Sequence, residues 1–522
     1  MKKKRTFAAI ISLVLVLTLL VGCTPNESEQ DESKNETVKV ASYFFPVVFE
    51  PTKDWESWYI EQYGFGETLT KYSKSGEIIP WLAESWEISA DDNCTWEIKL
   101  REDVVFSNGE PMTATKVKES IERLFFMEDP ENGGMGNPHS HFTVANIEAD
   151  DENFMVYLTT EIPTPDLPGA LAYPWTMIVD AEASKELDTN IQGAITTGPY
   201  VVDVFEPAKS VTGVRNENYW NGTPGFDKVE VIAMEDSSMR AMALMDGSIN
   251  YTLGLSPSDL EAIADAPNVT TEKYSNTRLD YSHINLKGIM GNDAIRHAIL
   301  TSIDGDTVAN NVLNGEVTWG FSVIPSGLDY GYDQLVNPFS YDEAKANQIL
   351  DDAGLVDTDG DGIRELDGEN IVVNYVTETG FMEAEAHAEL IKKIGIDCQL
   401  VIQEDITPAL NAGEFDIIVS NDNATPTGDP AKYLAHWYSK SNNNYANFSN
   451  AEYDEIYEKL VVEFDASVRR DYVIQLQQII IDNALCIITG YPSNIVSYTT
   501  GLTGIEMGAY TYYWVTPELR FE

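Results

Sequence analysis

Residues 345–420 constrain the fold more than any other stretch of the 522-residue chain. Their pattern runs helix, strand, helix, strand, and it closes on the apolar run "EFDIIVS". Both helical segments end at a glycine, which is a usual stop signal for a helix. This alternation is typical of lobes in which helices pack on an open sheet. We therefore predict an α/β fold with open mixed sheets.

The same two kinds of segment occur along the rest of the chain. Runs rich in Val, Ile or aromatic residues predict strands at 39–42, 95–100, 153–159, 228–233, 370–376, 398–403 and 416–420. Apolar residues at helical spacing predict helices at 113–126, 237–245, 341–353, 383–394, 451–464 and 467–483. With 43% hydrophobic residues, a chain of this length is expected to form more than one lobe.

The N-terminus has the pattern of an export signal. Basic residues precede the apolar run 7–21, which is shorter than the roughly 20 residues that span a bilayer. We predict a signal peptide over residues 1–22. The tetrapeptide that ends at Cys23 resembles the lipobox of bacterial lipoproteins, so Cys23 is the expected lipidation site; secretion with an incidental cysteine is the alternative. Residues 23–37 are mostly polar and acidic, which predicts a lipidated, disordered tether.

Charge and cysteine content exclude several classes of function. The formal net charge of −52 repels phosphate backbones, so nucleic acid is not an expected partner. Beyond Cys23 only Cys94, Cys398 and Cys486 remain, at wide spacings and without a Cys-x-x-Cys pair. We therefore expect neither a disulfide framework nor a cysteine metal site.

Four separated blocks carry a resemblance to a known family. They begin with "PWLAESWEISADDNCTWEIKLREDVVFSNGEPMTATKVKESIERLFF" (80–126) and "TTGPYVVDVFEPAKSVTGVRNENYWNGTPGFDKVEVIAMEDSSMRAMALMDGSIN" (196–250). "DAIRHAILTSIDGDTVANNVLNG" (293–315) and "GDPAKYLAHWYSKSNNNYANFSNAEYDEIYEKL" (428–460) follow. In this order they resemble family 5 of the substrate-binding proteins of ABC transporters, the oligopeptide, dipeptide and nickel class.

The resemblance implies a periplasmic-binding-protein-like fold of class II, also called cluster C, with two lobes and a hinge. Lobe I would contain residues 38–281 and 491–522, and lobe II residues 282–490. A ligand in the cleft would hold the lobes together, and a membrane permease would bind the closed form. The resemblance implies a monomeric binding protein without a cofactor or enzyme activity, anchored at the outer face of the cytoplasmic membrane.

Three segments are expected to contact the ligand. In the family, the stretch after the first block runs into the cleft. A second stretch follows the strand at 416–420, where ligands often bind in open sheets. The third segment, near the mature N-terminus, offers an aromatic wall. The candidate ligand-binding residues are His139, Ser140, His141, Phe142, Trp55, Trp58, Tyr59, Asn421, Asn423, Thr425, Thr427 and Asp429.

The identity of the ligand stays open at this point. Peptide-binding relatives often carry an Asp that binds the peptide amino group, and its place falls at Pro426, unless Asp422 or Asp429 substitutes. Nickel-binding relatives tend to carry a His where Ala431 and Lys432 follow the Asp-Pro step. We favour an oligopeptide, because such proteins bind main chain as an added strand. A metal chelate or another small solute is the alternative, and the candidate aromatic residues could instead belong to the core.

Other motifs give weaker signals. Asp357, Asp359 and Asp361 match the start of a calcium loop, but Gly368 stands where the bidentate Glu belongs, so we expect a turn. No nucleophile elbow, His-Glu-x-x-His motif or phosphate loop supports a surface peptidase. Residues His283, His297, His387 and His436 lie in predicted strand ends or helix faces. An adhesive lipoprotein without a cleft is a third possibility.

Overall fold

The computed structural model describes residues 36–53, 55–90, 92–132 and 138–522. The expected signal peptide (1–22), the lipidation site Cys23 and the tether up to residue 35 lie outside the described residues, as do positions 133–137 of the first ligand segment. Thr37, which was assigned to the tether, is the first residue of a strand.

The secondary structure alternates between strands and helices. The strands are β1 Thr37–Ser42, β2 Thr70–Tyr72, β3 Ile78–Pro80, β4 Ala83–Ile88, β5 Thr95–Leu100, β6 Asn146–Asp150, β7 Met155–Thr159, β8 Tyr200–Glu206, β9 Ser210–Arg215, β10 Lys228–Ala233, β11 Tyr251–Leu253, β12 Val269–Ser275, β13 Arg278–Ile284, β14 Val317–Thr318, β15 Glu365–Leu366, β16 Glu369–Asn370, β17 Val372–Glu378, β18 Asp397–Gln403, β19 Ile417–Asn423, β20 Cys486–Thr499, β21 Leu502–Thr503 and β22 Arg520–Phe521. Helices of six or more residues are α1 Glu56–Gln62, α2 Ala114–Glu128, α3 Ser237–Asp246, α4 Pro257–Ile263, α5 Asp293–Ser302, α6 Glu343–Asp352, α7 Met382–Lys393, α8 Thr407–Ala412, α9 Ala451–Leu460 and α10 Ala466–Asp482.

One large mixed sheet runs through the molecule in the order β18-β17-β19-β13-β20-β11-β1-β10-β9-β8. β1 pairs in parallel with β10 and β11, and β17 pairs in parallel with β18 and β19. The remaining pairs of this sheet are antiparallel, and β12 and β14 both pair with β20. Parallel pairs need crossover connections, and in this chain helices supply them.

Strand β20 joins the two halves of the sheet. Its first part, up to Gly490, pairs with β13, and its last part, from Ser493, pairs with β12. Tyr491 and Pro492 lie between these two ladders and pair with β14. We call the half that contains β1 to β12 lobe I and the half that contains β13 to β19 lobe II. The two-lobe α/β fold that the sequence predicts is confirmed.

Lobe I carries a second, four-stranded sheet in the order β4-β5-β7-β6. Helix α2 packs on this sheet through Val117 and Ile121, which lie on one face of the helix and are buried. The hydroxyl of Thr113 accepts a hydrogen bond from the main-chain N–H of Lys116 and caps the helix. The segment 167–171, through Leu167 and Leu171, belongs to the same apolar core.

Lobe II has helices on both faces of its part of the sheet. Helices α5, α6 and α7 cover one face, where Ile299, Leu350 and Ile391 are fully buried. Helices α9 and α10 cover the other face, where Leu460 and Leu476 are fully buried. This two-sided burial explains why the strands of lobe II are rich in apolar residues.

The predicted helix over 451–464 is too long. Helix α9 ends at Leu460, and the ring of Phe464 instead packs against Trp96 of lobe I, with ring centroids 6.0 Å apart. Within the described ranges, no helix has both the length and the apolar composition that a bilayer crossing requires.

Candidate functional site

The larger of two cavities between the lobes has a volume of about 640 Å³. Lobe I contributes the chain after β1, helix α1 and the C-terminal segment, and lobe II contributes the start of β13 and the end of β19. The lining residues are Tyr43, Phe44, Phe45, Val47, Trp55, Glu56, Trp58, Tyr59, Gln62, Asn276, Thr277, Arg278, Asn423, Asn494, Ala509, Tyr510, Thr511, Tyr512 and Trp514. The volume is within the range that is usual for small-molecule sites.

Nine of the nineteen residues that line the cavity are aromatic. The indole rings of Trp55 and Trp58 pack edge to face, with ring centroids 4.8 Å apart. The ring of Trp58 also packs against that of Tyr512, with centroids 5.4 Å apart. Trp55 is 55% exposed, so its ring is open to solvent at the cavity wall. Burial raises the pKa of Tyr59 to about 12, with the neighbouring Tyr43 and Glu56 adding to the effect, so its phenol is neutral.

Arg278 is the one Lys or Arg side chain among the described residues that line this cavity. Its Nε donates a hydrogen bond of 2.7 Å to Oδ1 of Asn421, and the amide of Asn421 in turn donates to the carboxylate of Asp280. This chain of contacts fixes the direction of the guanidinium while leaving it partly exposed. A guanidinium in this position suits a carboxylate, because it can donate two parallel hydrogen bonds.

The loop after β19 makes contacts between the lobes. The hydroxyl of Tyr510 donates a hydrogen bond of 2.6 Å to the main-chain oxygen of Thr425. The hydroxyl of Thr427 donates a hydrogen bond of 2.7 Å to Oδ2 of Asp166 in lobe I. Thr425 and Thr427 are both buried, so their side chains hold the lobes together and are not free to bind a ligand.

The two carboxylates that could replace the missing peptide anchor point elsewhere. Asp429 forms an ion pair with Arg469, whose Nη2 lies 2.6 Å from the carboxylate. Asp422 accepts hydrogen bonds from Tyr281 (2.7 Å) and Ser420 (2.8 Å) within lobe II. Successive residues of a strand face opposite sides, so Asp422 lies on the other face from Asn423, which lines the cavity.

Three of the other candidate residues lie at a separate, smaller cavity of about 340 Å³. Residues His139, His141 and Phe142 line it from lobe I, together with Asp166, and Lys432 and Arg469 line it from lobe II. Ser140 is exposed beside His139. The structure therefore brings four of the predicted ligand residues, Trp55, Trp58, Tyr59 and Asn423, to the larger cavity and three to the smaller one. The other five line neither cavity: Ser140, Asn421, Thr425, Thr427 and Asp429.

His141 is held neutral in this smaller cavity. Its ring packs 4.4 Å from the ring centroid of Tyr173 and 5.1 Å from that of Trp175. Burial, with the charge of Lys432 adding to it, lowers the pKa of His141 to about 4. Phe142 is 3% exposed and packs against Phe125, so it belongs to the core of lobe I.

Comparison with known proteins shows the family. The profile of the bacterial extracellular solute-binding proteins, family 5, matches residues 77–445. This chain belongs to that family. The match covers most of the two lobes and includes β13, β19 and the loop that follows β19. The resemblance inferred from the four sequence blocks is thereby confirmed.

Individual relatives have low sequence identity to this solute-binding protein, but their alignments cover most of both chains. A probable D,D-dipeptide-binding periplasmic protein of Escherichia coli is 26% identical over 459 residues, which cover 84% of each chain. The nickel-binding periplasmic protein of Escherichia coli is 28% identical over 390 residues, covering 71% of this chain and 72% of its own. A crystal structure of a nickel ABC transporter protein from Bacillus halodurans superimposes with a TM-score of 0.78 at 24% identity, covering 93% and 99% of the two chains.

Among the residues that the structure describes, two groups of side chains in this family 5 protein could hold a metal ion. Asp357, Asp359 and Asp361 are all exposed. The carboxylate of Asp357 accepts hydrogen bonds from the main-chain N–H groups of Gly360 and Gly362, as in the predicted turn. The second group, His283, Asp422 and His436, lies inside lobe II.

Sequence reasoning missed several residues of the larger cavity. The sequence analysis makes no prediction for Arg278 or for the C-terminal run "AYTYYW". The aromatic run "SYFFPVV" after β1 was likewise passed over. Both runs are unusually rich in aromatic residues for segments outside the predicted helices and strands, and this composition was the available signal.

Proposed function

We propose that this chain is the lipid-anchored receptor of an ABC importer, and that it captures a short oligopeptide in the larger cavity and delivers it to a membrane permease. The observation that carries the proposal is the cavity itself: about 640 Å³ between two lobes, lined by both. A ligand that contacts both lobes stabilises only the closed form, which is the requirement for a closing receptor.

The cavity wall supports a peptide as the ligand. Aromatic rings offer apolar surface that accepts varied side chains, and the amides of Gln62 and Asn423 offer hydrogen bonds. Main chain at the ends of β1 and β19 borders the cavity, where an extended peptide would find hydrogen-bonding partners.

Arg278 supports a carboxylate as the charged group that is recognised. The carboxylates of Asp422 and Asp429, which could have bound a peptide amino group, are engaged within lobe II. We therefore propose that the peptide binds with its C-terminal or a side-chain carboxylate near Arg278. A metal chelate is the second candidate, because organic chelators carry carboxylates and a nickel-binding protein is among the relatives.

The first experiment identifies the ligand. Mass spectrometry of small molecules released from the purified protein by gentle denaturation is expected to recover short peptides. Calorimetry with those peptides is then repeated on Arg278→Gln, and loss of the charge-assisted contact is expected to weaken binding by about 10- to 100-fold. Arg520→Gln, at an exposed arginine outside the cavity, is the matched control. Recovery of a metal chelate, with binding that still depends on Arg278, would select the second candidate.

We propose that the chain passes between the lobes at residues 276–277 and 491–492, where the sheet pairing changes; the resemblance implied boundaries at 281–282 and 490–491.

The proposed lipid anchor is tested separately. For the anchor, Cys23→Ala is expected to release the protein from the membrane fraction into the medium, as judged by fractionation. Unchanged membrane retention of this variant would contradict lipidation at Cys23.

A further inference from the structure

Three side chains converge inside lobe II at a place that the proposed function does not use. His283 lies in β13, Asp422 lies in β19, and His436 lies in the short turn Ala435–Trp437 that precedes helix α9. Each offers one potential ligand atom, and these atoms all lie within 4.8 Å of one another. Two imidazoles and one carboxylate form a donor set that suits first-row transition metals and not calcium or magnesium.

Hydrogen bonds determine the tautomer of His283. The hydroxyl of Tyr281 lies 2.7 Å from Oδ2 of Asp422 and 2.9 Å from Nε2 of His283. An ionised carboxylate can only accept, so Tyr281 gives its single hydrogen to Asp422 and accepts from Nε2–H of His283. The other ring nitrogen, Nδ1 of His283, is then left with a lone pair.

Two buried ring nitrogens without hydrogen-bond partners give a second indication of a metal site, besides the short distances between the ligand atoms. Nδ1 of His283 and Nδ1 of His436 are both buried and have no hydrogen-bond partner among the described residues. His283 is only 1% exposed, so its ring is shielded from bulk solvent. A buried polar atom without a partner destabilises the folded state, and two of them in neighbouring rings require an explanation. A bound metal ion supplies one, because a neutral imidazole nitrogen is a good ligand.

The surroundings resemble the outer shell of a metal site. Both hydrogen bonds to Asp422, from Tyr281 and from Ser420, go to Oδ2 and leave Oδ1 to coordinate. Such second-sphere bonds orient metal ligands. The ring of Tyr445 lies 5.5 Å from that of His283 and 5.8 Å from that of His436, and it helps to close the site.

We propose that His283, Asp422 and His436 form a binding site for one divalent first-row transition metal ion in lobe II, distinct from the ligand cavity. Two of the three ligands, His283 and Asp422, come from β13 and β19, whose residues Arg278 and Asn423 line that cavity. A metal held there would brace the lobe II side of the cavity. The site keeps at least one coordination position that the three side chains do not fill.

The proposal is tested on the full-length mature protein after metal has been removed with a chelator. Titration with Zn²⁺ is expected to fill one tight site per chain and to raise the midpoint of thermal unfolding. Co²⁺ in the same site is expected to give visible absorption typical of imidazole ligation, which the many exposed carboxylates do not produce.

Variants assign the site. His283→Gln and His436→Gln are each expected to weaken the tight site more than about 100-fold, and Tyr281→Phe by about 10- to 100-fold. The matched control is His297→Gln. His297 lies in helix α5 and packs on Phe339, and the variant is expected to bind Zn²⁺ like the wild type. Arg278→Gln is also expected to leave Zn²⁺ binding unchanged, which separates this site from a metal chelate carried in the cavity.

Two results would overturn the proposal. One is a wild-type protein with no saturable tight site, and the other is a tight site that survives in both histidine variants. If the variants fail to fold, X-ray absorption of the zinc-loaded wild type decides the matter. It is expected to show two imidazoles and a carboxylate oxygen at about 2.0–2.2 Å, and a shell of oxygen atoms alone would refute the assignment.

Discussion

The hydroxyl of Thr427 in lobe II donates a hydrogen bond of 2.7 Å to Oδ2 of Asp166 in lobe I. The ammonium group of Lys432, also in lobe II, lies 3.4 Å from the same oxygen. A single carboxylate of lobe I thus receives two contacts from the segment that follows β19. These contacts exist only when the lobes are close together, so they belong to the free energy of closure and not to the stability of either lobe.

Asp166→Asn is expected to favour the open form. The substitution removes the negative charge that attracts Lys432 and weakens the bond from Thr427, which together should lower ligand affinity by about tenfold. Small-angle scattering should show a larger radius of gyration at subsaturating ligand. Asp203→Asn, at an exposed position in β8, is the control and should behave like the wild type. Equal affinities for Asp166→Asn and wild type would mean that this contact does not contribute to closure.

Gly169→Ala should block closure by steric overlap. A Cβ atom at this position would lie 1.7 Å from the carbonyl oxygen of Thr427 in the opposite lobe. The φ angle of Gly169 is one that other residues adopt, so lobe I itself is expected to fold normally. Calorimetry should show ligand affinity reduced by more than about tenfold, with little change in the thermal midpoint of the ligand-free protein. A wild-type affinity would show that the lobes can close without this close approach.

Trp55→Ala should separate binding from stability. The side chain is 55% exposed, so its removal is expected to change the free energy of unfolding by less than about 0.5 kcal/mol. If the ligand covers the ring, affinity should fall by about tenfold. Phe126→Ala removes a side chain that is 62% exposed and does not line the cavity, and it should leave affinity unchanged. Identical affinities in both variants would place the ligand away from Trp55.

Glu383 should make stability depend on pH. Burial, and then the nearby charges of Asp280 and Glu316, raise the pKa of Glu383 to about 7. A carboxyl with a raised pKa contributes stability that is complete below the unfolded-state pKa of 4.5 and is lost as the pH rises through about 7. Between these limits the loss should reach about 3 kcal/mol.

Urea unfolding at pH 5 and pH 8 tests this prediction. Glu383→Gln is expected to lose that part of the pH dependence, because its amide does not titrate. Glu385→Gln, at an exposed position of the same helix, should keep the wild-type dependence. A Glu383→Gln variant with the full wild-type difference between the two pH values would rule out Glu383 as the group responsible.

Local sequence patterns predicted the fold well, because they depend on burial along single elements. The strand at 95–100 and the helix over 237–245 occur with bounds that agree to within one residue. The helix over 451–464 was wrong at its end, because Phe464 leaves the helix axis to pack on Trp96, a contact between lobes that local periodicity does not contain.

The site was less predictable than the fold. Trp55 and Asn423 do line the same cavity, since an aromatic segment and a strand end are recognisable locally. His139 and His141 line a different cavity. Their position relative to the larger cavity depends on the separation of the lobes along their junction, which local sequence does not specify. The cluster of His283, Asp422 and His436 depends on the antiparallel register of β13 with β19, which no single segment specifies.

Strand β20 limits how the two lobes can move. It is one strand of 14 residues that is hydrogen-bonded to β13 in one lobe and to β12 in the other. Sliding one lobe past the other would break both ladders, whereas bending at Tyr491 and Pro492 breaks few bonds, since proline has no N–H to lose. The pairing of β20 therefore favours rotation of the lobes about a single axis near Tyr491 and Pro492, so we expect opening to leave the internal structure of each lobe unchanged.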